Sequence, residues 1–311
     1  MKKFSVGTDI GGSHISCAIV DLERRTISRE SFVTQKIDNQ ANADVILEKW
    51  SNTLTKAVAT IDRAQLAGIG FAMPGPFKYD LGVAMFTSEV AKYQSLFETN
   101  VSQRLEALLQ LNGDCRLRYV NDAVAFAVGE AWAGHAAGAR RSLSITLGTG
   151  FGSGFLDGGV PVVDREDVPK QGCVWNLPYH GGIADDLFTT RWFIKQYAER
   201  SGHQVVGVKE IAEKTSTDVV ARDLFAEFGA NLGTFLGPLL KNFGADVLVI
   251  GGNISAAYLH FRDQLEVSLA DQRIQTPVRI SYLKEDAALL GSARLFDEVF
   301  WQEVRPLLSK M

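Results

Sequence analysis

Four glycines alternate with other residues in Gly148-Thr149-Gly150-Phe151-Gly152-Ser153-Gly154, between two runs of strand-forming residues. A simple hairpin turn needs glycine at only one or two positions. Alternating glycines let consecutive backbone N–H groups converge on an anion without obstruction by Cβ atoms, as a polyphosphate requires. We interpret the segment as a phosphate-binding turn. A wide, bulged turn without a ligand is the alternative.

A second glycine turn, Asp9-Ile10-Gly11-Gly12-Ser13, follows the first predicted strand. An acid at a strand end beside such a turn could hold Mg²⁺ through water, next to bound phosphates. Alone, the segment is also typical of an Asx-type turn. Because the two turns match, we predict that both contact ATP. The predicted contacts are Asp9, Gly11, Gly12 and Ser13 in the first turn, and Gly148, Thr149, Gly150 and Gly152 in the second.

Asn121-Asp122 follows the predicted strand Arg116–Val120 and precedes an apolar helix. The acid therefore stands where a helix N-cap is expected. A carboxylate at a strand end near a phosphate turn could also accept a hydroxyl proton during phosphoryl transfer. The two roles are compatible, and we predict Asp122 as the catalytic base.

Other chemical motifs are absent from the sequence. It contains no GxxxxGK[ST], no GxGxxG ahead of a helix and no GxSxG, which argues against P-loop, Rossmann and serine-hydrolase sites. The five histidines form no HxxxH or HExxH pair. Cys17, Cys115 and Cys173 are odd in number and widely spaced, so neither a zinc site nor a disulfide framework is expected.

Hydrophobic periodicity predicts an α/β protein in which one strand-turn-strand unit occurs twice, about 140 residues apart. The predicted strands are Phe4–Thr8, Ile15–Val20, Ser28–Val33, Leu66–Phe71, Arg116–Val120, Leu143–Leu147, a strand through Phe155 and Val247–Ile250. The predicted helices are Asn42–Ile61, Val101–Leu111, Ala123–Ala133, Asp186–Arg200, Lys209–Lys214, Asp218–Phe243, Tyr258–Ala270 and Asp286–Trp301. We expect two lobes with a cleft between them, residues 1–121 plus about 291–311 and residues 122–290.

The composition fits an ordinary globular protein and excludes several partners. The chain has 311 residues, 46% of them hydrophobic and 22% charged, with a formal net charge of −4. A slightly negative net charge does not favour binding to the phosphate backbone of a nucleic acid. No stretch approaches the roughly 18 apolar residues of a membrane helix, and no signal-peptide pattern fits the N-terminus. A cytoplasmic location is therefore expected.

The order of the motifs resembles that of the ROK family of bacterial sugar kinases and repressors. The matching segments are Asp9–Ser13, Pro74-Gly75-Pro76, Asn121-Asp122-Ala123, Leu147–Gly154 and Val249-Ile250-Gly251-Gly252. The resemblance implies a two-lobed, actin-like (duplicated ribonuclease H-like) fold that binds ATP, Mg²⁺ and a sugar in the cleft. It also implies a homodimer. The catalytic aspartate of the family falls on Asp122, with Asn121 and Gly75 beside the sugar.

Gly251, Gly252 and Asn253 would then let adenosine approach the backbone, and Trp175 could stack on the sugar ring. The family's Gly-Glu-x-Gly-His motif corresponds here to Gly172–Asn176, so Cys173 replaces a sugar-binding acid. The family's cysteine-rich zinc motif is missing. ATP-dependent phosphorylation of a hexose or N-acetylhexosamine is the expected function. A catalytically impaired sugar- or nucleotide-sensing protein is the alternative, and the sequence leaves the sugar and its reacting hydroxyl open. Only eight residues precede Asp9, so no helix-turn-helix is expected there.

Overall fold

The computed structural model describes residues 2–87, 92–111 and 115–311. Its strands are β1 (Phe4–Ile10), β2 (His14–Asp21), β3 (Thr26–Ile27), β4 (Val33–Lys36), β5 (Leu66–Met73), β6 (Phe77–Lys78), β7 (Val83–Ala84), β8 (Arg116–Asn121), β9 (Arg141–Leu147), β10 (Phe151–Asp157), β11 (Val160–Pro161), β12 (Pro178–Tyr179), β13 (Gly182–Ile183), β14 (Val247–Gly251) and β15 (Val278–Ile280). Its helices are α1 (Ala43–Val58), α2 (Val101–Leu108), α3 (Asp122–Ala133), α4 (Ala184–Leu187), α5 (Thr190–Ser201), α6 (Val208–Lys214), α7 (Val219–Phe243), α8 (Tyr258–Asp271), α9 (Asp286–Arg294) and α10 (Glu298–Val304).

The chain forms two compact units. The first contains residues 1–137, 159–161 and 285–311, and the second contains residues 138–158 and 162–284. The sequence-based boundaries were 121/122 and 290/291, which would have assigned α3 to the other half. In the structure α3 and the whole of α9 belong to the first unit. The reason is their mutual packing, described below.

The sheet of the first unit has the strand order β3-β2-β1-β5-β8, and β4 also pairs with β2. Strand β1 is antiparallel to β2 and parallel to β5, which is in turn parallel to β8. Parallel strands end at the same edge of a sheet. The ends of β1, β5 and β8 therefore bring Asp9, Met73 and Asn121 to one edge.

The second unit repeats this plan. Its sheet runs β10-β9-β14-β15, with β9 antiparallel to β10 and parallel to β14, and β14 parallel to β15. The predicted duplication is thus confirmed in both strand order and direction. The fold is the expected mixed α/β, actin-like fold with two ribonuclease H-like units.

Each unit pairs two helices so closely that glycine is required at the contact. In the first unit, a Cβ on Gly129 of α3 would lie 1.9 Å from the carbonyl oxygen of Ala287 in α9. In the second, a Cβ on Gly229 of α7 would lie 2.2 Å from the carbonyl oxygen of Phe261 in α8. Such distances exclude any side chain, so α3 must fold with α9 rather than with the second unit.

Three predicted elements are interrupted where particular hydrogen bonds form. The predicted strand Ser28–Val33 is a 3₁₀ turn over Arg29–Ser31, because buried Ser31 accepts a hydrogen bond from the Ile19 N–H. The predicted helix Asp186–Arg200 breaks into α4 and α5, since the Thr190 N–H donates to the Gly148 carbonyl instead. The predicted helix Asp286–Trp301 ends early because Asp297 caps the new helix α10.

Candidate active site

The first glycine turn is tighter than the sequence suggests. Strand β1 continues to Ile10, so Asp9 lies inside the strand, opposite Ser16 of β2, rather than in the turn. The turn itself is Gly11–Ser13, closed by a 2.9 Å hydrogen bond from the Gly11 N–H to the His14 carbonyl. The backbone of Asp9 is thereby fixed by the sheet, next to the turn.

Three hydrogen bonds anchor the carbonyl groups of this turn. The Tyr93 hydroxyl donates to Gly11 at 2.6 Å, the Asn39 amide donates to Gly12, and the Ile37 N–H donates to Ser13 at 2.8 Å. With the carbonyls held on the protein side, the N–H groups of Gly12 and Ser13 make no hydrogen bond to any described residue. Two neighbouring unpaired donors are what an anion-binding turn offers.

Asp9 lies among other charges of the first unit. Burial, together with the negative charges of Asp122 and Glu285, raises the pKa of Asp9 from 3.8 to about 7, against the opposing charge of Lys92. The two predicted acids, Asp9 and Asp122, are therefore close enough to repel one another. This electrostatic environment favours a bound cation, because a cation would offset the repulsion between the carboxylates.

Asn121, rather than Asp122, caps helix α3. The Asn121 Oδ1 accepts hydrogen bonds from the Ala123 and Val124 N–H groups, and its Nδ2 donates to the Tyr79 hydroxyl at 3.2 Å. Asp122 is the first helical residue and accepts the Ala123 N–H through Oδ1 at 2.9 Å. Its Oδ2 has no partner among the described residues. The structure therefore leaves one carboxylate oxygen of Asp122 available to a substrate, and at most one Asn121 N–H.

The second glycine turn, between β9 and β10, contains glycines that packing does not explain. A Cβ on Gly148 would meet no atom within 4 Å, and one on Gly150 would meet only Asp185 Oδ1, at 3.5 Å. Neither residue has a positive φ. The N–H groups of Thr149 and Gly150 make no hydrogen bond to a described residue. Gly152, predicted in the turn, lies in β10 opposite Thr146.

Asp185 of α4 braces this second turn. Its Oδ1 accepts the Phe151 N–H at 2.7 Å, and its Oδ2 pairs with Arg191 at 2.6 Å. The Asp185 N–H donates to the Trp175 carbonyl at 2.9 Å. The only sequence feature that could have indicated this contact is the acidic pair Asp185-Asp186 before an apolar segment. The sequence-based prediction did not use it.

The predicted adenosine segment adjoins the second turn within the same unit. Gly251 ends β14, opposite Thr146, and Gly252 follows with φ 80° and ψ 169°, a conformation that is essentially restricted to glycine. A Cβ on Gly252 would lie 2.3 Å from the Leu147 carbonyl oxygen. Gly252 is thus required by the fold itself, while Asn253 beside it is exposed.

The remaining predicted sugar residues divide between the units. Gly75 lies in the first unit, where a Cβ on it would stand 3.4 Å from the Tyr79 hydroxyl, which itself contacts Asn121. Trp175 lies in the second unit with 46% of its surface exposed, large for a tryptophan. Cys173, a half-buried thiol, lies two residues before Trp175.

A magnesium ion held mainly through water fits the donor set. Within residues 2–87, 92–111 and 115–311, no three His, Cys, Asp or Glu side chains form a cage for a metal. Mg²⁺ keeps several waters and uses one or two carboxylates together with substrate phosphates. Asp9, with Asp122 and Glu285 nearby, supplies carboxylates of that kind.

The prediction missed four residues around the first turn, Asn39, Lys92, Tyr93 and Glu285. Each comes from a segment distant in sequence, and none belongs to a recognisable motif. Their role appears only when the folded chain brings them to Asp9 and Gly11–Ser13.

Comparison with known proteins decides the family. The ROK family profile matches residues 5–164, just over half of the chain, and includes both glycine turns. The chain belongs to the ROK family. The resemblance seen in the sequence is thereby confirmed. None of the described residues of this ROK protein forms a helix long and apolar enough to cross a membrane.

The similar curated proteins are sugar kinases. The N-acetyl-D-glucosamine kinase of Pectobacterium carotovorum is 26% identical over 271 residues, covering 80% of this chain and 83% of its own. The glucokinase of Halalkalibacterium halodurans is 24% identical over 326 residues, covering 94% of each chain.

Solved structures of the same fold include both kinases and a regulator. A ROK family glucokinase from Streptomyces griseus, in complex with glucose and AMPPNP, has a TM-score of 0.75 and 22% identity, covering 95% of this chain and 99% of its own. A ROK family transcriptional regulator has a TM-score of 0.78 and 16% identity, covering 99% of this chain and 81% of its own. At these identities the likeness establishes the fold alone.

Proposed function

We propose that this ROK protein transfers the γ-phosphoryl group of ATP to a hydroxyl of a hexose or N-acetylhexosamine. The observation that carries the proposal is a glycine turn with two unpaired N–H groups beside Asp9, a carboxylate on which the charge of Asp122 acts. The similar glucokinase and N-acetyl-D-glucosamine kinases support this substrate class.

Asp122 acts as the general base. The sugar hydroxyl oxygen forms a bond to the γ-phosphorus while the bond from phosphorus to the β–γ bridging oxygen breaks, and its electron pair leaves with ADP. The hydroxyl proton passes to Asp122 Oδ2, the oxygen that makes no hydrogen bond to a described residue. The N–H bond from Ala123 to Oδ1 fixes the orientation of the carboxylate during this step. Positioning of this kind supplies most of the catalysis in phosphoryl transfer.

The backbone holds the donor. In the first unit, the N–H groups of Gly12 and Ser13 bind phosphate oxygens. In the second unit, the N–H groups of Thr149 and Gly150 take this role, and the segment Gly251–Asn253 binds adenosine. Asp9 would hold Mg²⁺ through water, and the ion would neutralise phosphate charge during the transfer.

Sugar recognition uses a small set of side chains. Asn121 can donate its second Nδ2 hydrogen to a sugar hydroxyl, since Tyr79 takes the first and the helix cap occupies Oδ1. Gly75 leaves room for the sugar near the same Tyr79 hydroxyl. The exposed face of Trp175 suits stacking on a sugar ring.

A catalytically impaired sensor of sugar or nucleotide is the second candidate. The observation favouring it is Cys173, a thiol where ROK kinases carry a sugar-binding acid. A thiol is a weak hydrogen-bond donor and acceptor. The complete set of Asp9, Asp122 and both turns favours the kinase.

The test combines binding and turnover. Mg·ATP must raise the melting temperature of the parent chain, because a ligand that binds only the folded state stabilises it. ADP formation is then measured across hexoses, N-acetylhexosamines and pentoses. Nucleotide and sugar binding without ADP formation would support the sensor, and no binding of either would refute both candidates.

The Asp122→Asn variant tests the base directly. The amide keeps the shape of the carboxylate but cannot accept the proton, so we expect kcat to fall several hundredfold or more, within the range for loss of a general base. Melting shifts with Mg·ATP should persist. A near-normal kcat on the true substrate would refute the assignment of Asp122.

A further inference from the structure

Lys92 lies directly over the first glycine turn. Its Cδ and Nζ atoms are 3.6 and 4.0 Å from the position that a Cβ on Gly12 would occupy. It is half-buried, and its positive charge acts on the Asp9 carboxylate. Within the part of the chain that the structure describes, Lys92 forms no ion pair. A lysine held beside a turn with unpaired N–H groups offers a point charge to an anion.

The neighbouring residue Tyr93 holds the backbone of this segment next to the turn. Tyr93 has φ 58° and ψ 24°, a left-handed conformation that is uncommon for a residue other than glycine. It is held by a fully buried ring packed edge-on against Trp50, with 5.5 Å between ring centroids. Its N–H donates to the Asn39 carbonyl at 3.0 Å and its hydroxyl donates to Gly11. Residues in such conformations persist where the surroundings over-determine them, often at functional sites.

The anchors of the turn and of the lysine are the same residues. Asn39 holds Gly12 by its side chain and Tyr93 by its carbonyl, and Tyr93 holds Gly11. One network therefore holds the backbone next to Lys92 and the backbone of the turn together, and the Lys92 side chain extends over Gly12 from that anchored position.

We infer that Lys92 is a further catalytic residue, whose ammonium group contacts the transferred phosphoryl group during its passage from ATP to the sugar. The inference rests on the proposed kinase function. Charge accumulates on the equatorial oxygens of this group in the transition state, and a fixed cation placed there lowers the barrier. The same charge acts on the Asp9 carboxylate, which would hold Mg²⁺ through water, so the ammonium group and the ion would both offset phosphate charge. Lys92 belongs to none of the motifs that relate this chain to its family.

The experiment compares Lys92→Met, which keeps the chain length without the charge, with Lys92→Arg, which keeps the charge. Lys49→Met, at an exposed position of α1 without an ion pair to a described residue, is the matched control. We expect kcat of Lys92→Met to fall about 10²- to 10³-fold, as for loss of one transition-state donor. KM for the sugar should stay within a factor of about three. Lys92→Arg should recover at least part of kcat.

A binding measurement provides the readout that does not depend on turnover. In titration calorimetry with Mg²⁺, Lys92→Met should bind AMPPNP about tenfold more weakly than the parent and bind ADP unchanged, because only AMPPNP has the terminal phosphoryl group. Melting temperatures of all four proteins establish that each is folded. If Lys92→Met is unfolded, the comparison of Lys92→Arg with Lys92→Gln replaces it.

The outcomes separate the two proposals. If the parent chain neither binds Mg·AMPPNP nor phosphorylates any sugar, both the kinase function and the catalytic role of Lys92 are overturned. If the parent is active and Lys92→Met has the same kcat and AMPPNP affinity as Lys49→Met, the catalytic role of Lys92 is overturned and the kinase function stands. A selective rise in the sugar KM, with kcat and AMPPNP binding unchanged, would place Lys92 in sugar recognition and would also overturn the inference.

Discussion

Gly148 and Gly252 both lie in the second unit, but only Gly252 is required by the packing of the protein itself. Replacing each by alanine therefore distinguishes an effect on ligand binding from an effect on folding. At Gly148 the added methyl group would meet no atom within 4 Å, and φ is not positive. At Gly252 it would lie 2.3 Å from the Leu147 carbonyl oxygen, at φ 80°. Gly148→Ala therefore perturbs only what approaches from outside the protein, whereas Gly252→Ala perturbs the protein itself.

The expected magnitudes differ accordingly. Gly148→Ala should leave the free energy of unfolding within about 0.5 kcal/mol of the parent, or raise it by up to about 1 kcal/mol through the stiffer unfolded chain. Gly252→Ala combines a glycine-only backbone conformation, costing about 1–3 kcal/mol, with overpacking that costs a similar amount. We therefore expect Gly252→Ala to lose about 2–5 kcal/mol.

Nucleotide binding should show the opposite order. If a phosphate oxygen approaches the turn at Gly148, the methyl group displaces it and removes at least one charge-assisted hydrogen bond of about 1.5–3 kcal/mol. The affinity for Mg·AMPPNP would fall about ten- to a hundredfold. Urea denaturation and titration calorimetry on both variants provide the two measurements. Unchanged nucleotide affinity in a fully folded Gly148→Ala protein would refute the interpretation of the second turn as a phosphate site.

Two further predictions concern the second unit. The motif order of the sequence places the family's sugar-binding acid at Cys173. On that placement Cys173→Glu supplies the missing carboxylate, and we expect KM for the preferred hexose to fall about tenfold or more. An unchanged KM would contradict the placement, and Cys173→Ser serves as the uncharged control. Asp167 has a pKa below its usual 3.8 because Arg165 hydrogen-bonds to it, which outweighs the opposing effect of burial. Its ionised form therefore stabilises the fold above about pH 4, and this contribution disappears as the pH falls through the lowered pKa. Asp167→Asn should cost about 1 kcal/mol in urea at pH 7 and progressively less below pH 4, whereas Glu166→Gln should cost little at either pH; a constant difference would refute the ion-pair explanation.

The sequence was sufficient for the parts of the fold that depend on local patterns. Long amphipathic segments such as α7, and the two strand-turn-strand units, follow directly from hydrophobic periodicity and glycine spacing. It was insufficient where a distant group competed for a backbone N–H. The break before α5 exists because Thr190 donates to Gly148, and the 3₁₀ turn at Ser31 exists because Ile19 donates to its hydroxyl. Neither bond has a local signature.

The candidate site shows the same division. Asp9, Asp122 and the glycine turns were recognisable because their chemistry is carried by short motifs. Asn39, Lys92 and Tyr93 were not, because they contribute through tertiary contacts with Gly11 and Gly12. The sequence also could not show that Asn121 rather than Asp122 is the N-cap of α3. Either side chain can cap a helix, and only the backbone conformation at the end of β8 decides between them.

The capping of α3 by Asn121 instead of Asp122 has a chemical consequence. If Asp122 were the cap, its carboxylate would accept the N–H groups of the first helical turn and would be a poorer base, because hydrogen bonds to the charged form stabilise it. With Asn121 capping, its amide oxygen accepts the Ala123 and Val124 N–H groups. Asp122 shares only the Ala123 N–H, through Oδ1, and its Oδ2 has no partner among the described residues. The Asn-Asp pair at this strand end therefore separates two tasks: Asn121 completes the helix, and Asp122 keeps the carboxylate oxygen that the proposed proton transfer requires.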